Sequence, residues 1–110
     1  MKLYHYSQFT NLASIKENGL HVGADNVVYL AESPMLARVF AYIYGLKDYA
    51  LFEVSVTLDD IEKSTDHNED YFKKLTGELS AECYSCKHNI PADRVTFFRL
   101  LFIFRLGDRP

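Results

Sequence analysis

Glu82 sits in a short strand-like run, Ala81-Glu82-Cys83-Tyr84-Ser85, that leads on to the turn segment Ile90-Pro91-Ala92-Asp93-Arg94-Val95. A lone carboxylate in an apolar strand is expensive to bury unless it has a partner or a task. The tasks open to it are stabilising positive charge as it develops on a substrate and moving a proton. Two other segments set polar side chains in similar surroundings. His5 lies in Leu3-Tyr4-His5-Tyr6-Ser7, and Tyr29 lies in Val28-Tyr29-Leu30-Ala31-Glu32-Ser33-Pro34, which runs into a helix. Imidazole changes protonation near neutral pH, and a phenol combines an apolar ring with a polar tip. Each residue also has a plain packing reading: a backbone-satisfied histidine, a core tyrosine, an edge-strand carboxylate in solvent.

Histidine, tyrosine and glutamate in that order on three separate strands resemble the signature of the ADP-ribosyltransferase superfamily. The opening Leu3-Tyr4-His5-Tyr6-Ser7, followed by a helix over 11–19 and Leu20, looks like the start of DarT-type DNA ADP-ribosyltransferases and RNA 2′-phosphotransferases. The resemblance implies that His5 binds the nicotinamide-side ribose of NAD and that the backbone of Tyr6 clasps the carboxamide. Val28-Tyr29-Leu30-Ala31-Glu32 resembles the second motif, including its poly-ADP-ribose polymerase branch, where a helix follows whose inward aromatic stacks on nicotinamide. Phe40 falls at that place, and a cationic pyridinium is well held between π faces. Phe40 equally fits the apolar stripe of its helix.

By the same resemblance Glu82 is the catalytic residue. Cleaving the bond between nicotinamide and ribose develops oxocarbenium charge on the sugar, as in glycoside chemistry. One fixed carboxylate there can contribute roughly 3 to 4 kcal/mol. The family's glutamate stands at a strand start shortly before an Ile-Pro-Pro-like turn, matched here by Ile90-Pro91-Ala92 with one proline replaced.

Three departures narrow the activity. Ala37 occupies the position of a serine that often holds the amide. Ser80 replaces the acidic or amide residue that arginine-specific toxins carry two positions before the glutamate, so arginine is not the expected acceptor. Arg38, Arg94 and Arg99 do not reproduce the arginine set of RNA 2′-phosphotransferases, whose first member lies in an additional N-terminal domain. The expected activity is transfer of ADP-ribose from NAD, as co-substrate, to a macromolecular acceptor, protein rather than nucleic acid. The alternatives are an RNA 2′-phosphotransferase-like enzyme and a catalytically inactive domain that binds NAD or a partner. Small stand-alone domains of this kind resemble phage and mobile-element effectors that act against host defence, an analogy of fold and size.

Length and composition fit this frame. One domain spanning residues 1–110 can build a single core. Hydrophobic residues make up 48% and charged residues 25%, and the eight Tyr and eight Phe stand out. A formal charge of −3 provides no broad electrostatic footprint for nucleic acid. Met1-Lys2-Leu3 starts in a strand pattern instead of a charged and then apolar leader, so no signal peptide is expected. The apolar stretch 96–106 is interrupted by Arg99 and is too short for a membrane helix. A cytoplasmic protein with no membrane association follows; the oligomeric state stays open. Cys83 and Cys86 have C-x-x-C spacing, but with only His5, His21, His67 and His88 elsewhere no second ligand pair completes a zinc site, and they read as ordinary thiols. Asp66-His67-Asn68-Glu69-Asp70 reads as a turn and helix start, with Asp66 or Asn68 as cap. No metal is expected; whether His67 faces the acceptor stays open.

The elements that must position these groups are legible in outline. A strand at about 2–6 precedes a helix at about 10–18, which Gly19 ends. Continuous apolar character over 27–30 predicts a strand buried on both faces. Ser33-Pro34 opens a second helix, striped by Met35, Leu36, Val39, Phe40 and Ile43 and ended by Gly45. Alternation over 50–56 predicts a strand with one wet face. The polar stretch 57–68 winds over the surface to a short helix at 69–75. Strands follow at 80–86 and 96–106, the latter setting Phe98, Leu100, Phe102, Phe104 and Leu106 on one side and Phe97, Arg99, Leu101, Ile103 and Arg105 on the other. The expected fold is α+β and ADP-ribosyltransferase-like, with two small packed, mainly antiparallel sheets, flanking helices and an NAD cleft between them.

Overall fold

The first strand, β1 (Lys2–Gln8), crosses a 3-10 turn at Phe9–Asn11 into helix α1 (Leu12–Asn18). The chain then forms β2 (Val28–Ala31), α2 (Pro34–Ile43), β3 (Asp48–Ser55), β4 (Ile61–Ser64), α3 (Glu69–Thr76), β5 (Cys83–Cys86) and β6 (Val95–Phe102). This is a computed structural model, and it describes residues 1–45, 48–65 and 67–102. Asp66, one of the two expected caps, and residues 103–106 of the expected last strand lie outside the described residues.

The fold is α+β. Its described strands form one sheet in the order β4-β5-β2-β1-β3-β6, with every neighbouring pair antiparallel. This corrects the expectation of two packed sheets. The sheet nonetheless has a weak seam. β1 pairs with β3 from Lys2↔Ser55 to Gln8↔Tyr49, but with β2 only at Tyr4↔Ala31. A side chain makes up part of the missing ladder: the His5 Nδ1–H donates to the Tyr29 carbonyl at 2.8 Å. Two three-stranded halves thus meet along one registered pair.

Each sheet face carries its own core. On the face of α1, Leu3, Ile15, Leu20, Val28, Leu30, Phe52, Val54 and Cys86 are buried together. On the face of α2 and α3, Ala31, Leu36, Ala37, Leu51, Phe72, Ala81 and Cys83 are buried together. The pleat of β3 explains the division, because Phe52 and Val54 point one way and Leu51 the other.

Helix starts follow the expected chemistry. Ser33 Oγ accepts from the Leu36 N–H at 3.1 Å, with Pro34 at the first helical position. Asn68 Oδ1 accepts from the Tyr71 N–H at 3.1 Å, and Gly77 ends α3 in the left-handed region. The buried face of α2 is rotated from the expected stripe. Leu36, Ala37 and Ala41 are buried, whereas Met35 and Ile43 are exposed. The two alanines let the helix backbone approach the sheet, which a count of large apolar residues misses.

Other boundaries moved for identifiable reasons. β2 is not buried on both faces, since Tyr29 is 46% exposed. β4 lies within the stretch read as surface chain, because Ile61-Glu62-Lys63-Ser64 is an edge strand with little apolar pattern. A capping box between Thr57 and Asp60 starts the 3-10 turn just before it. The β5 ladder begins at Cys83, so Glu82 precedes it. In β6 a bulge leaves Phe98 between the pairs Phe52↔Phe97 and Leu51↔Arg99, which breaks the strict alternation expected there. Among the described residues, no helix is long and apolar enough to cross a membrane.

Gly19 adopts φ 80°, ψ −164°, a region essentially reserved for glycine. A Cβ there would lie 2.1 Å from the Ile90 carbonyl oxygen, where Leu20 and Ile90 form a two-way backbone bridge. Gly19→Ala is expected to destabilise the protein by at least ~2 kcal/mol, lowering the thermal midpoint by roughly 10 °C. A midpoint unchanged in a melting experiment would contradict this packing.

Candidate functional site

The seam between β1 and β2 opens, on the face of α2 and α3, into a cavity of about 350 Å³. β1 contributes Tyr4 and Tyr6, and β2 contributes Tyr29, Leu30 and Ala31. Phe40 and Tyr44 come from α2 and the residue after it, His67 from the approach to α3, and Cys83 from the start of β5. Asp25 and Ser64 complete the lining. Among the described residues, the walls are dominated by π faces, with the Asp25 carboxylate and no Lys or Arg in the lining. Such a site favours a flat ligand, neutral or cationic, and disfavours an anion.

The aromatic rings hold one another in place. Phe40 stacks on Phe72 with centroids 4.4 Å apart, and His67 stands edge-on to both, at 5.7 Å from Phe40 and 5.6 Å from Phe72. The His67 Nε2–H donates to the Ala81 carbonyl, tying the segment before α3 to the one before β5. Tyr4 packs edge-on against Phe98 at 5.8 Å and donates its hydroxyl to Glu53 at 3.3 Å. Burial and the Glu53 charge both raise the Tyr4 pKa, and burial raises that of Tyr6. Both phenols stay protonated as donors at neutral pH.

Of the five residues singled out in the sequence, three share the cavity: Tyr6, Tyr29 and Phe40. His5 lies at the seam, bonded through Nδ1 to the Tyr29 carbonyl, and is not part of the lining. Desolvation lowers its pKa, and the carbonyl bond partly opposes that shift. The ring is neutral at physiological pH, its Nδ1 carrying the proton. Glu82 is also outside the lining. Its carboxylate meets Lys63 Nζ at 3.1 Å and accepts the Tyr84 hydroxyl at 3.3 Å. Tyr84 packs on the α1-side core, whereas Cys83, the next residue, lines the cavity. The Glu82 side chain is thus directed to β4 and Tyr84, and is not brought together with Tyr6, Tyr29 and Phe40.

The backbone around Glu82 is firmly held. The Glu32 carboxylate accepts the Glu82 N–H at 3.0 Å and the Ser80 hydroxyl, while the Glu32 N–H donates back to the Glu82 carbonyl at 3.0 Å. This extends the β2–β5 pairing one step past Ala31↔Cys83. Lys63 in turn faces Glu69 at 3.8 Å as well as Glu82, and these contacts raise its pKa, the Glu82 hydrogen bond most.

Tyr4 and Tyr44 were not identified from the sequence as site residues, and the sequence left open whether His67 is one. Tyr4 and Tyr6 share a strand face at i, i+2, so the pleat could have found Tyr4. The turn signal around His67 leaves its direction open, and it reaches the cavity because α3 docks on α2. The thiols also separate. Cys83 and Cys86, three apart on a strand, fall in opposite cores, which accounts for both being free thiols. Burial pushes the Cys83 pKa up to about 12, so it is no nucleophile.

No protein-family model matches the chain, and neither does any curated protein.

The Cys83 shift carries a stability consequence. A thiol whose folded pKa is raised from 9.0 to about 12 is favoured protonated in the fold. The unfolded chain gives up its proton first, so this contribution is complete below pH 9 and is lost as pH rises from 9 to 12. The unfolding free energy from denaturant titration is expected to fall across that window at up to about 1.4 kcal/mol per pH unit. In Cys83→Ala the slope should be shallower; an identical slope would show the thiol to be unshifted.

Proposed function

We propose that this protein is an ADP-ribosyltransferase-like domain of the cytoplasm that seats the nicotinamide end of NAD in the aromatic cavity and transfers ADP-ribose to a macromolecule, in the first instance a protein. One observation carries the reading. Tyr6, Tyr29 and Phe40 were singled out from separate stretches of sequence, and they line one cavity of about 350 Å³ with π-faced walls. A pyridinium ring fits such walls through cation–π attraction and stacking, and the Asp25 carboxylate at the lining complements its charge. The described lining holds no cationic side chain for a pyrophosphate, so the nicotinamide and its ribose are the parts proposed to enter.

In the proposed reaction the bond between ribose C1′ and the nicotinamide nitrogen breaks, and its electron pair leaves with nicotinamide. The acceptor's nucleophilic atom bonds to C1′ and gives up its proton. His5 is assigned the ribose by its place at the seam, where it is bonded to the Tyr29 carbonyl. Glu82 stabilises the oxocarbenium charge and receives the acceptor proton. For this its carboxylate must leave Lys63, and their pair is solvent-exposed on both sides, hence screened and weak.

The same contact motivates a second reading. With its carboxylate engaged by Lys63 and Tyr84, Glu82 leaves a cavity able to hold the dinucleotide without turning it over. That is a domain that binds NAD or a partner and does no chemistry.

Titration calorimetry with NAD, followed by incubation with labelled NAD and cell extract, separates these readings. Transfer predicts NAD binding, a labelled macromolecule, and loss of label by at least about 100-fold in Glu82→Gln with binding retained. Tyr29→Ala is expected to weaken NAD binding about tenfold, the loss of one stacking contact. Binding without label leaves the second reading. A protein that binds no NAD refutes transfer, and of the second reading leaves only partner binding.

A further inference from the structure

His67 is the polar side chain of the cavity whose ring is fixed from several sides. Its plane is set by edge contacts to Phe40 and Phe72. One ring nitrogen, Nε2, is bonded to the Ala81 carbonyl. A carbonyl can only accept, so Nε2 carries the proton, and in the neutral ring Nδ1 is left as an acceptor. The ring lines the cavity, and Phe40, its neighbour, is the proposed stacking platform. Ala37, one turn before Phe40 in α2, is fully buried and presents no side-chain donor or acceptor.

A stacked flat ring gains binding energy but no orientation, because π faces are the same under rotation in plane. Orientation needs a directional polar group at the ring edge. From this arrangement we infer that His67 is a positioning and specificity residue: its Nδ1 accepts a hydrogen bond from an amide N–H on the edge of the ring stacked on Phe40. The ligand class is a planar heteroaromatic ring bearing a primary carboxamide. The inference rests on the nicotinamide reading above and assigns that reading's polar anchor. Fixing the amide also fixes which side of the ring the ribose leaves from, so His67 acts on the reaction through orientation and not through proton transfer.

The test uses the full chain, NAD, and the NAD analogue in which an acetyl group replaces the carboxamide. The analogue has the same charge and the same carbonyl, but no N–H. The native protein is expected to bind NAD about tenfold more tightly than the analogue. His67→Phe keeps a ring between Phe40 and Phe72 and removes the acceptor, so it should bind both dinucleotides equally, at the affinity the native protein shows for the analogue. His67→Asn restores an acceptor and is expected to recover part of the preference. A thermal melt without ligand reports whether each variant is folded; should His67→Phe not fold, the native and His67→Asn preferences decide. Equal affinities in the native protein overturn the assignment, as does a preference unchanged in His67→Phe, and both leave the NAD reading standing. Failure of the native protein to bind either dinucleotide refutes the NAD reading and this inference with it.

Discussion

The join between β1 and β2 is the constraint on which the rest of this structure depends. Strand pairing normally closes a sheet by satisfying every facing backbone group. Here one registered pair, Tyr4↔Ala31, and one side-chain bond, His5 to the Tyr29 carbonyl, hold two three-stranded halves together. A fuller ladder would draw the strands together and leave no space. Because the ladder is short, the aromatic side chains of both strands frame a hollow, and α2 and α3 roof it with Phe40 and His67.

The chemistry of that hollow follows from what surrounds it. Its floor belongs to the core of Ala31, Leu51, Ala81 and Cys83, which is dry enough to push a thiol pKa up to about 12. Charge is kept at the margins. Glu32 secures the chain entering β5, Glu53 receives the Tyr4 hydroxyl, and Lys63 bridges Glu69 and Glu82. An apolar aromatic centre with acidic margins selects for flat and electron-poor ligands, which is the basis of the nicotinamide proposal.

How much of this was legible in the sequence depended on how local each signal was. Ser33-Pro34 and Asn68 mark helix starts, because capping is satisfied within one turn of chain. Gly19 marks a stop for the same reason. β4 left almost no trace, since an edge strand paired on one side needs no apolar alternation. The stripe of α2 was right for Leu36, Val39 and Phe40 and wrong for Met35 and Ile43, because its contact with the sheet also runs through Ala37 and Ala41, and small residues score poorly as core. The single sheet was missed because strand partnership is a long-range fact that no window of sequence contains.

Tyr6, Tyr29 and Phe40 share a cavity, while Glu82 stands apart from it. The identity of these side chains and their order along the chain are properties of the sequence alone, as are the α+β class and most element positions. Hydrophobic period and capping are short-range effects, and they act before any fold exists. Which side chains face one another was decided only by the tertiary structure. The seam, the rotation of α2, the arrival of His67 and the engagement of Glu82 with Lys63 each follow from packing between segments far apart in the chain. There, a strand's partner and a side chain's neighbours are chosen by the burial of the whole.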